Sequence, residues 1–264
     1  VIFLILIIIL TVPVLFPFPI SIPISDHTRN YYNTIESLKP RSIVLIGLEV
    51  TARDIESYPA MVATFRHLKS KQAVIITYNF AQGAALGTEW IFQDSGYDKL
   101  AYSTDYVHLG FMPGGDTTLS SFCQDFVKTK TVDHYGNPTA SMPIFQKAKS
   151  IQDVDMVLTE GGGTPGPDTW ARVAVIPYNK LAIVMVPGAF AVHIYDFLAL
   201  KVFKGAVIAQ RSVVEYEGLT GYTGRATAMF APPYIGTAVL IVLILISNVA
   251  YWYNLSKKKG GKVQ

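Results

Sequence analysis

Two long stretches without a charged residue lie at the two ends of this 264-residue chain. The first runs from Val1 to Ser25 and the second from Met229 to Ser256. All 19 acidic residues and 18 of the 22 basic ones lie between Asp26 and Arg225, so this central segment has a formal net charge of −1. A helix of about 20 apolar residues spans the hydrocarbon core of a bilayer. The charge pattern therefore predicts a folded central domain between two membrane anchors.

The N-terminal stretch predicts a helix from Val1 to about Leu15. Prolines interrupt the rest of this stretch and favour an extended exit, namely Pro13, Pro17, Pro19 and Pro23. The alternative is a cleaved signal peptide, although the apolar core of such a peptide is usually shorter. We interpret residues 1–25 as a retained transmembrane anchor with a proline-rich exit.

The C-terminal stretch carries stronger membrane signals. Tyr251, Trp252 and Tyr253 form an aromatic belt at its end, and a tail with four lysines follows directly. Lysines beside a span favour the cytoplasmic side of the membrane. Residues 229–256 are therefore predicted to form a transmembrane helix, and residues 257–264 a basic cytoplasmic tail. Two spans would place both termini in the cytoplasm and the central domain outside.

The central domain, residues 26–228, alternates between buried-strand and helix patterns. Continuous apolar runs rich in β-branched residues are typical of parallel strands covered on both faces. Five such runs predict strands at Ser42 to Leu48, Gln72 to Tyr78, Tyr106 to Phe111, Asp153 to Thr159 and Leu181 to Pro187. Helical segments separate these runs, and the last two of them, Ala189 to Phe203 and Ala206 to Glu217, precede the C-terminal span. The pattern predicts an α/β, Rossmann-like three-layer domain with a mainly parallel five-stranded sheet.

Ligands of open parallel sheets bind beyond the carboxyl ends of the strands. The most suggestive of these strand ends is the one after the fourth strand. A glycine-rich loop there precedes Asp168 and could hold an anion with its backbone amides. This loop matches neither the Walker nor the dinucleotide motif, and it could equally be a strand-to-helix loop capped by Asp168. The candidate ligand-binding residues at the strand ends are Glu49, Asn79, Gly114, Gly115, Asp116, Gly161, Gly162, Gly163, Thr164 and Gly166. Of these, Gly114 and Gly115 could also form only a turn before a helix.

No complete catalytic or metal-binding set is recognisable, so we predict no catalytic residues, no metal site and no cofactor. His193 and Asp196 could form a charge pair or part of a metal site. For the other candidates, simpler interpretations suffice. We interpret His108 as a core histidine and Cys123 as a packed thiol. We interpret Asp133 with His134 as a surface turn, and Glu215 with Glu217 as a solvated helix face. A single cysteine excludes an internal disulfide framework. The nearly neutral domain argues against a nucleic-acid partner.

Three segments carry a resemblance to a known family. They are Asp105 to Gly115 (DYVHLGFMPGG), Asp133 to Pro138 (DHYGNP) and Val213 to Glu217 (VVEYE). These are similar to stretches of an uncharacterised family of prokaryotic membrane-anchored proteins with an extracytoplasmic Rossmann-like domain. The chain departs from that family just before the first segment, where the family has Tyr-Gly and this chain has Tyr102-Ser103. It also departs at Val213 and Val214. The resemblance implies the same architecture in a prokaryotic plasma membrane, and it supplies no activity.

These features favour a membrane-anchored extracytoplasmic scaffold or assembly protein that acts through homo-oligomerisation or partner binding. The expected partners are the lipid bilayer, further copies of the chain and other membrane proteins. Small or polar residues in the second span permit close helix contacts, and the candidates are Gly236, Ser247 and Asn248. The alternatives are an extracytoplasmic receptor for a small molecule or anion, and a membrane-tethered hydrolase or transferase.

Overall fold

The computed structural model describes residues 7–8, 11–12, 15, 22–53, 55–163, 165–222 and 224–260. Two compact units are present. One consists of Ser21–Ala226, and the other of Val1–Ile20 with Thr227–Gln264. Most of the predicted N-terminal anchor lies outside the described residues.

Six strands form one entirely parallel sheet in Ser21–Ala226. They are β1 (Ile43–Gly47), β2 (Val74–Asn79), β3 (Tyr106–Phe111), β4 (Met156–Glu160), β5 (Leu181–Val186) and β6 (Gly205–Ile208), and their spatial order is β3-β2-β1-β4-β5-β6. The predicted α/β, Rossmann-like fold is confirmed. The predicted number of five strands is wrong, because Gly205–Ile208 pairs with β5 as a sixth strand instead of starting a helix.

Helices cover both faces of the sheet. The α-helices of four or more residues in Ser21–Ala226 are α1 (Asp26–Glu36), α2 (Ser57–Ser70), α3 (Ala84–Ser95), α4 (Gly115–Gln124), α5 (Phe126–Thr129), α6 (Pro143–Lys147), α7 (Pro167–Trp170), α8 (Tyr195–Ala199) and α9 (Ala209–Thr220). After α7 the chain continues through a π-helical turn, Ala171–Val175, into a short turn at Ile176–Tyr178. Pro177 lacks the amide hydrogen that a regular α-helix needs at this point, which accounts for the irregular turn.

Close approaches between elements depend on small residues. A Cβ atom on Gly47 of β1 would lie 2.4 Å from the Trp170 ring, and one on Gly87 of α3 would lie 1.9 Å from the Val50 carbonyl oxygen. Trp170 is fully buried. The indole therefore packs directly on the backbone of the central strand, and this contact fixes the position of α7.

Two glutamates of α9 are buried, so the predicted solvated helix face for Glu215 and Glu217 is wrong. Glu215 accepts hydrogen bonds from the amide (2.9 Å) and hydroxyl (2.5 Å) of Ser25. Glu217 accepts the amides of Gly224 (3.1 Å) and Ala226 (3.2 Å). These carboxylates hold the segments through which the chain enters and leaves Ser21–Ala226.

The second unit contains most of a long helix, α10 (Arg225–Gly260). Within the described residues, one stretch, Arg225–Tyr253, is long and apolar enough to cross a membrane. Pro232 and Pro233 lie inside this helix. The Thr237 hydroxyl donates to the Pro233 carbonyl (2.8 Å), which satisfies one backbone group near the prolines.

Candidate functional site: a cavity at the strand ends

The sheet order places β1 beside β4 in the middle of the sheet, where the direction of strand succession reverses. Ligands of open α/β sheets bind outside the carboxyl ends of strands at such a point. A cavity of about 220 Å³ lies at the ends of the neighbouring strands β4 and β5. Its lining residues are Gly161, Gly162, Gly163, Pro167, Asp168, Val186, Phe190, His193 and Ile194.

The glycine-rich loop after β4 forms one wall of this cavity. Gly161 has φ +142°, a value that favours glycine, and a Cβ atom there would lie 3.0 Å from the Glu49 side chain. A Cβ atom on Gly162 would lie 2.1 Å from the Phe190 ring. The loop is therefore packed against Glu49 on one side and against Phe190 on the other. Thr164, a further candidate, lies outside the described residues.

The opposite wall comes from the segment between β5 and β6. This segment begins with a 3₁₀-helix, Gly188–Ile194, whose Gly188 amide donates to a carboxylate oxygen of Glu56 (2.8 Å). Phe190, His193 and Ile194 of this helix face the cavity. The wall is apolar apart from the His193 imidazole, and the rings of Phe190 and His193 are 6.3 Å apart.

Glu49 lies behind the glycine-rich loop and holds the ends of three strands together. Its carboxylate accepts the amides of Phe80 and Ala81, both at 2.7 Å, and its own amide donates to the Glu160 carboxylate (2.9 Å). Burial raises the pKa of Glu49 to about 8; the two amide hydrogen bonds oppose this rise, and the charge of Glu160 adds to it. The backbone amides that could bind an anion at the end of β2 are thus occupied by a side chain of the protein.

The structure separates the other predicted residues from the cavity lining. Asn79 is fully buried, and its side-chain amide donates to the Leu48 carbonyl (2.6 Å) and the Thr88 hydroxyl (3.0 Å). Gly114 and Gly115 have positive φ angles where α4 begins. Asp116 lies in the first turn of α4, 3.1 Å from Arg172.

The glycines at the margins of the loop make tight backbone contacts. A Cβ atom on Gly166 would lie 2.2 Å from the Gly163 carbonyl oxygen, so these two residues close a turn. A Cβ atom on Gly115 would lie 3.3 Å from Pro165, which brings the start of α4 next to the loop. Gly166 and Gly115 therefore shape the loop from outside the cavity.

Sequence reasoning assigned Phe190, His193 and Ile194 to a helix that leads towards the membrane and missed their place in this cavity. No local sequence pattern indicates this position, because it depends on the pairing of β4 with β5, which brings the segment after Pro187 opposite the glycine-rich loop. The sequence predicted that Asp168 caps the helix after this loop. The structure has Gly166 at the N-cap position instead, and Asp168 lies in the first turn, where it lines the cavity.

His108 and Cys123 are both buried within the α/β domain. His108 is fully buried, its Nδ1 lies 3.0 Å from the Thr77 hydroxyl, and burial together with the nearby His134 lowers its pKa to about 3. Cys123 is buried, and burial raises the pKa of its thiol to about 12, which opposes a role as nucleophile. Among the described residues, no group of three or more histidine, cysteine, aspartate or glutamate side chains could hold a metal ion.

The turn at Asp133 lies at the surface, as the sequence predicted, and among residues 133–138 only Asp133 is buried. Asp133 is 3% exposed and accepts hydrogen bonds from the Tyr102 hydroxyl (2.6 Å) and from the backbone amides of Tyr135 (2.9 Å) and Asn137 (2.8 Å). His134 packs on His108, with 4.5 Å between ring centroids, and lies 3.5 Å from the Glu89 carboxylate. This turn fastens the loop after α5 to the edge strand β3.

No protein-family model matches the chain, and no curated protein is similar enough to be matched to it.

Proposed function

We propose that this chain is a membrane-anchored binding protein whose α/β domain takes a small organic ligand into the cavity at the ends of β4 and β5. The observation that carries the proposal is the lining of this cavity. It combines an apolar wall with two polar side chains, Asp168 and His193, at the strand ends where open α/β sheets bind ligands. Small-molecule sites are typically concave and combine apolar walls with a few polar groups that orient the ligand.

The size of the cavity limits the ligand. Sites for drug-sized molecules span about 300–1,000 Å³, whereas this cavity has about 220 Å³. The ligand is therefore smaller than a nucleotide. Glu49 occupies the amides at the end of β2, which further disfavours a dinucleotide lying across the sheet.

The test is a screen of small organic fragments by saturation-transfer NMR on the full chain in detergent. Gly162→Val would place a side chain where the Phe190 ring now lies, and we expect this variant to lose the binding of fragments that the wild type retains. Phe190 is 38% exposed and can move aside, so the fold should persist, which the melting temperature checks.

Gly218→Val is the matched control, because Gly218 is exposed on α9 and a Cβ atom there meets nothing within 4 Å. This control should bind the same fragments as the wild type. Absence of any bound fragment, or equal binding by the wild type and Gly162→Val, would refute the proposed site.

The proposed location is the plasma membrane of a prokaryote, with two spans, both termini in the cytoplasm and the α/β domain outside. The apolar stretch Arg225–Tyr253 supports one span. An epitope after Gln264 should resist protease added to intact cells, and its digestion would contradict this topology.

A second candidate function, assembly through partner binding, is favoured by exposed apolar side chains between β5 and β6. Val192 is 68% exposed, Tyr195 55% and Leu200 75%. A shallow groove of about 770 Å³ lies beside them, between α1 and the Tyr195–Lys204 region. Clusters of exposed apolar residues often mark interaction surfaces. This function is compatible with ligand binding, since the two surfaces use different sides of the same segment.

A further inference from the structure

The two polar side chains that line the cavity have few partners within the protein. Among the described residues, the only polar contact of the Asp168 carboxylate is with Arg172, whose Nη2 lies 3.5 Å away. Arg172 is closer to Asp116, with Nη1 at 3.1 Å. His193 forms no hydrogen bond with the part of the chain that the structure describes, and its nearest aromatic neighbour is Phe190. Both groups are thus available to a ligand.

The charges around the cavity disfavour an anion. No lysine or arginine is among the lining residues, and Asp168 is the one acidic residue among them. Asp168 lies in the first turn of α7, where its negative charge already compensates the partial positive charge of a helix start. An anion would therefore meet the Asp168 carboxylate, with no lysine or arginine in the lining to pair with it, contrary to the anion that the glycine-rich loop suggested.

The same surroundings suit a cation with an apolar body. An ammonium group attracts a carboxylate, and it is also attracted to the face of an aromatic ring within about 6 Å. Asp168 supplies the carboxylate and Phe190 the ring. The side chains of Val186, Ile194 and Pro167 complete an apolar surface against which a short hydrocarbon chain can pack.

We propose that the cavity binds a small organic ammonium ion, with its charged group between Asp168 and Phe190 and its apolar body against Val186 and Ile194. This inference rests on the proposed function and specifies its ligand class. The His193 imidazole forms a further hydrogen bond with a polar substituent of the ligand, as donor or as acceptor.

The test compares three probes with the same carbon skeleton on the full chain in detergent: butylammonium, 1-butanol and butyrate. Binding is measured by saturation-transfer NMR titration at pH 7. We expect butylammonium to bind at least tenfold more tightly than butyrate, because hydrogen bonds to charged groups contribute roughly 1.5–3 kcal/mol, which corresponds to about tenfold or more in affinity.

Asp168→Asn should weaken butylammonium binding about tenfold and leave 1-butanol binding unchanged. Asp116→Asn is the matched control, because Asp116 shares Arg172 but does not line the cavity; it should retain affinity within about threefold. A melting curve on each variant checks that the fold is intact.

The possible failures are distinguishable. Equal or tighter binding of butyrate, or full butylammonium affinity in Asp168→Asn, would overturn the ammonium inference. Failure of butylammonium to bind at millimolar concentration would overturn it as well. If Gly162→Val still abolished the binding of other fragments in either case, the proposed ligand-binding function would stand without the ammonium preference. Fragment binding that is insensitive to Gly162→Val would contradict the proposed function itself.

Discussion

At the scale of single residues, buried and half-buried carboxylates organise the strand ends of this domain. Glu49 accepts two backbone amides, Glu160 accepts the Glu49 amide, and Glu56 accepts the Gly188 amide. A buried carboxylate is tolerated only when hydrogen bonds or charges compensate its desolvation. Backbone amides compensate Glu49 only in part, since its pKa still rises to about 8, and these hydrogen bonds hold the loops around the cavity.

The raised pKa of Glu49 predicts a pH-dependent stability. The folded domain binds this proton more tightly than the unfolded chain, whose glutamate has the ordinary pKa of 4.5, against about 8 in the fold. The resulting stabilisation is fully present below about pH 4.5 and declines as the pH rises through 8. We expect the melting temperature of the wild type to fall between pH 6 and pH 9.

Glu49→Gln should flatten this dependence, because glutamine does not titrate. At pH 6 the variant should lose no more than about 1 kcal/mol, since glutamine keeps one acceptor for the two amides. The measurement is a melting curve at each pH for both proteins. A wild type whose stability rises through pH 8, or a variant with the same slope as the wild type, would show that another group controls the titration.

At the scale of elements, the helix that begins at Pro167 is positioned by its tryptophan. Trp170 contacts the Gly47 backbone of β1 on one side, and its ring lies 5.6 Å from Tyr78 of β2 (centroid to centroid) on the other. The glycine-rich loop joins this helix to β4, so the packing of Trp170 determines where the loop can lie. A change at Gly47 is therefore expected to act on the helix rather than on the strand alone.

Gly47→Ala should destabilise the domain by about 1–3 kcal/mol, because the added methyl group overlaps the fully buried indole and core overpacking has costs of this size. Gly218→Ala is the control. It adds the same methyl group on exposed α9, where nothing lies within 4 Å, and should stabilise the helix by up to about 1 kcal/mol. Urea unfolding followed by circular dichroism measures both. Equal stability of Gly47→Ala and the wild type would mean that Trp170 can shift without cost.

At the scale of the whole molecule, two polar residues within the otherwise apolar stretch of α10 are candidates for contacts between copies of the chain. Ser247 and Asn248 are exposed on this helix. A polar side chain at membrane depth gains by bonding to another helix. We therefore expect the wild type to self-associate in detergent and Asn248→Leu to weaken that association, as measured by size-exclusion chromatography with light scattering.

Val249→Leu is the matched control for this experiment, because Val249 is the exposed apolar neighbour of Asn248. It should assemble like the wild type. A wild type that is monomeric at micromolar concentration would contradict self-association, and equal assembly of Asn248→Leu would remove Asn248 from the contact.

The sequence by itself determined the features that depend on local pattern. The five longer strands and the uncharged ends can be recognised because burial on both faces and membrane insertion each require continuous apolar runs. The glycine-rich loop can be recognised from its composition. Only the tertiary structure decided which strand ends are neighbours, that Gly205–Ile208 pairs as a strand, and that Phe190 and His193 face the glycine-rich loop. It also decided that Glu215 and Glu217 are buried, because their partners are remote or outside the helix. Strand order and side-chain burial are set by contacts between segments that are distant in the chain, and such contacts leave no period in the local sequence.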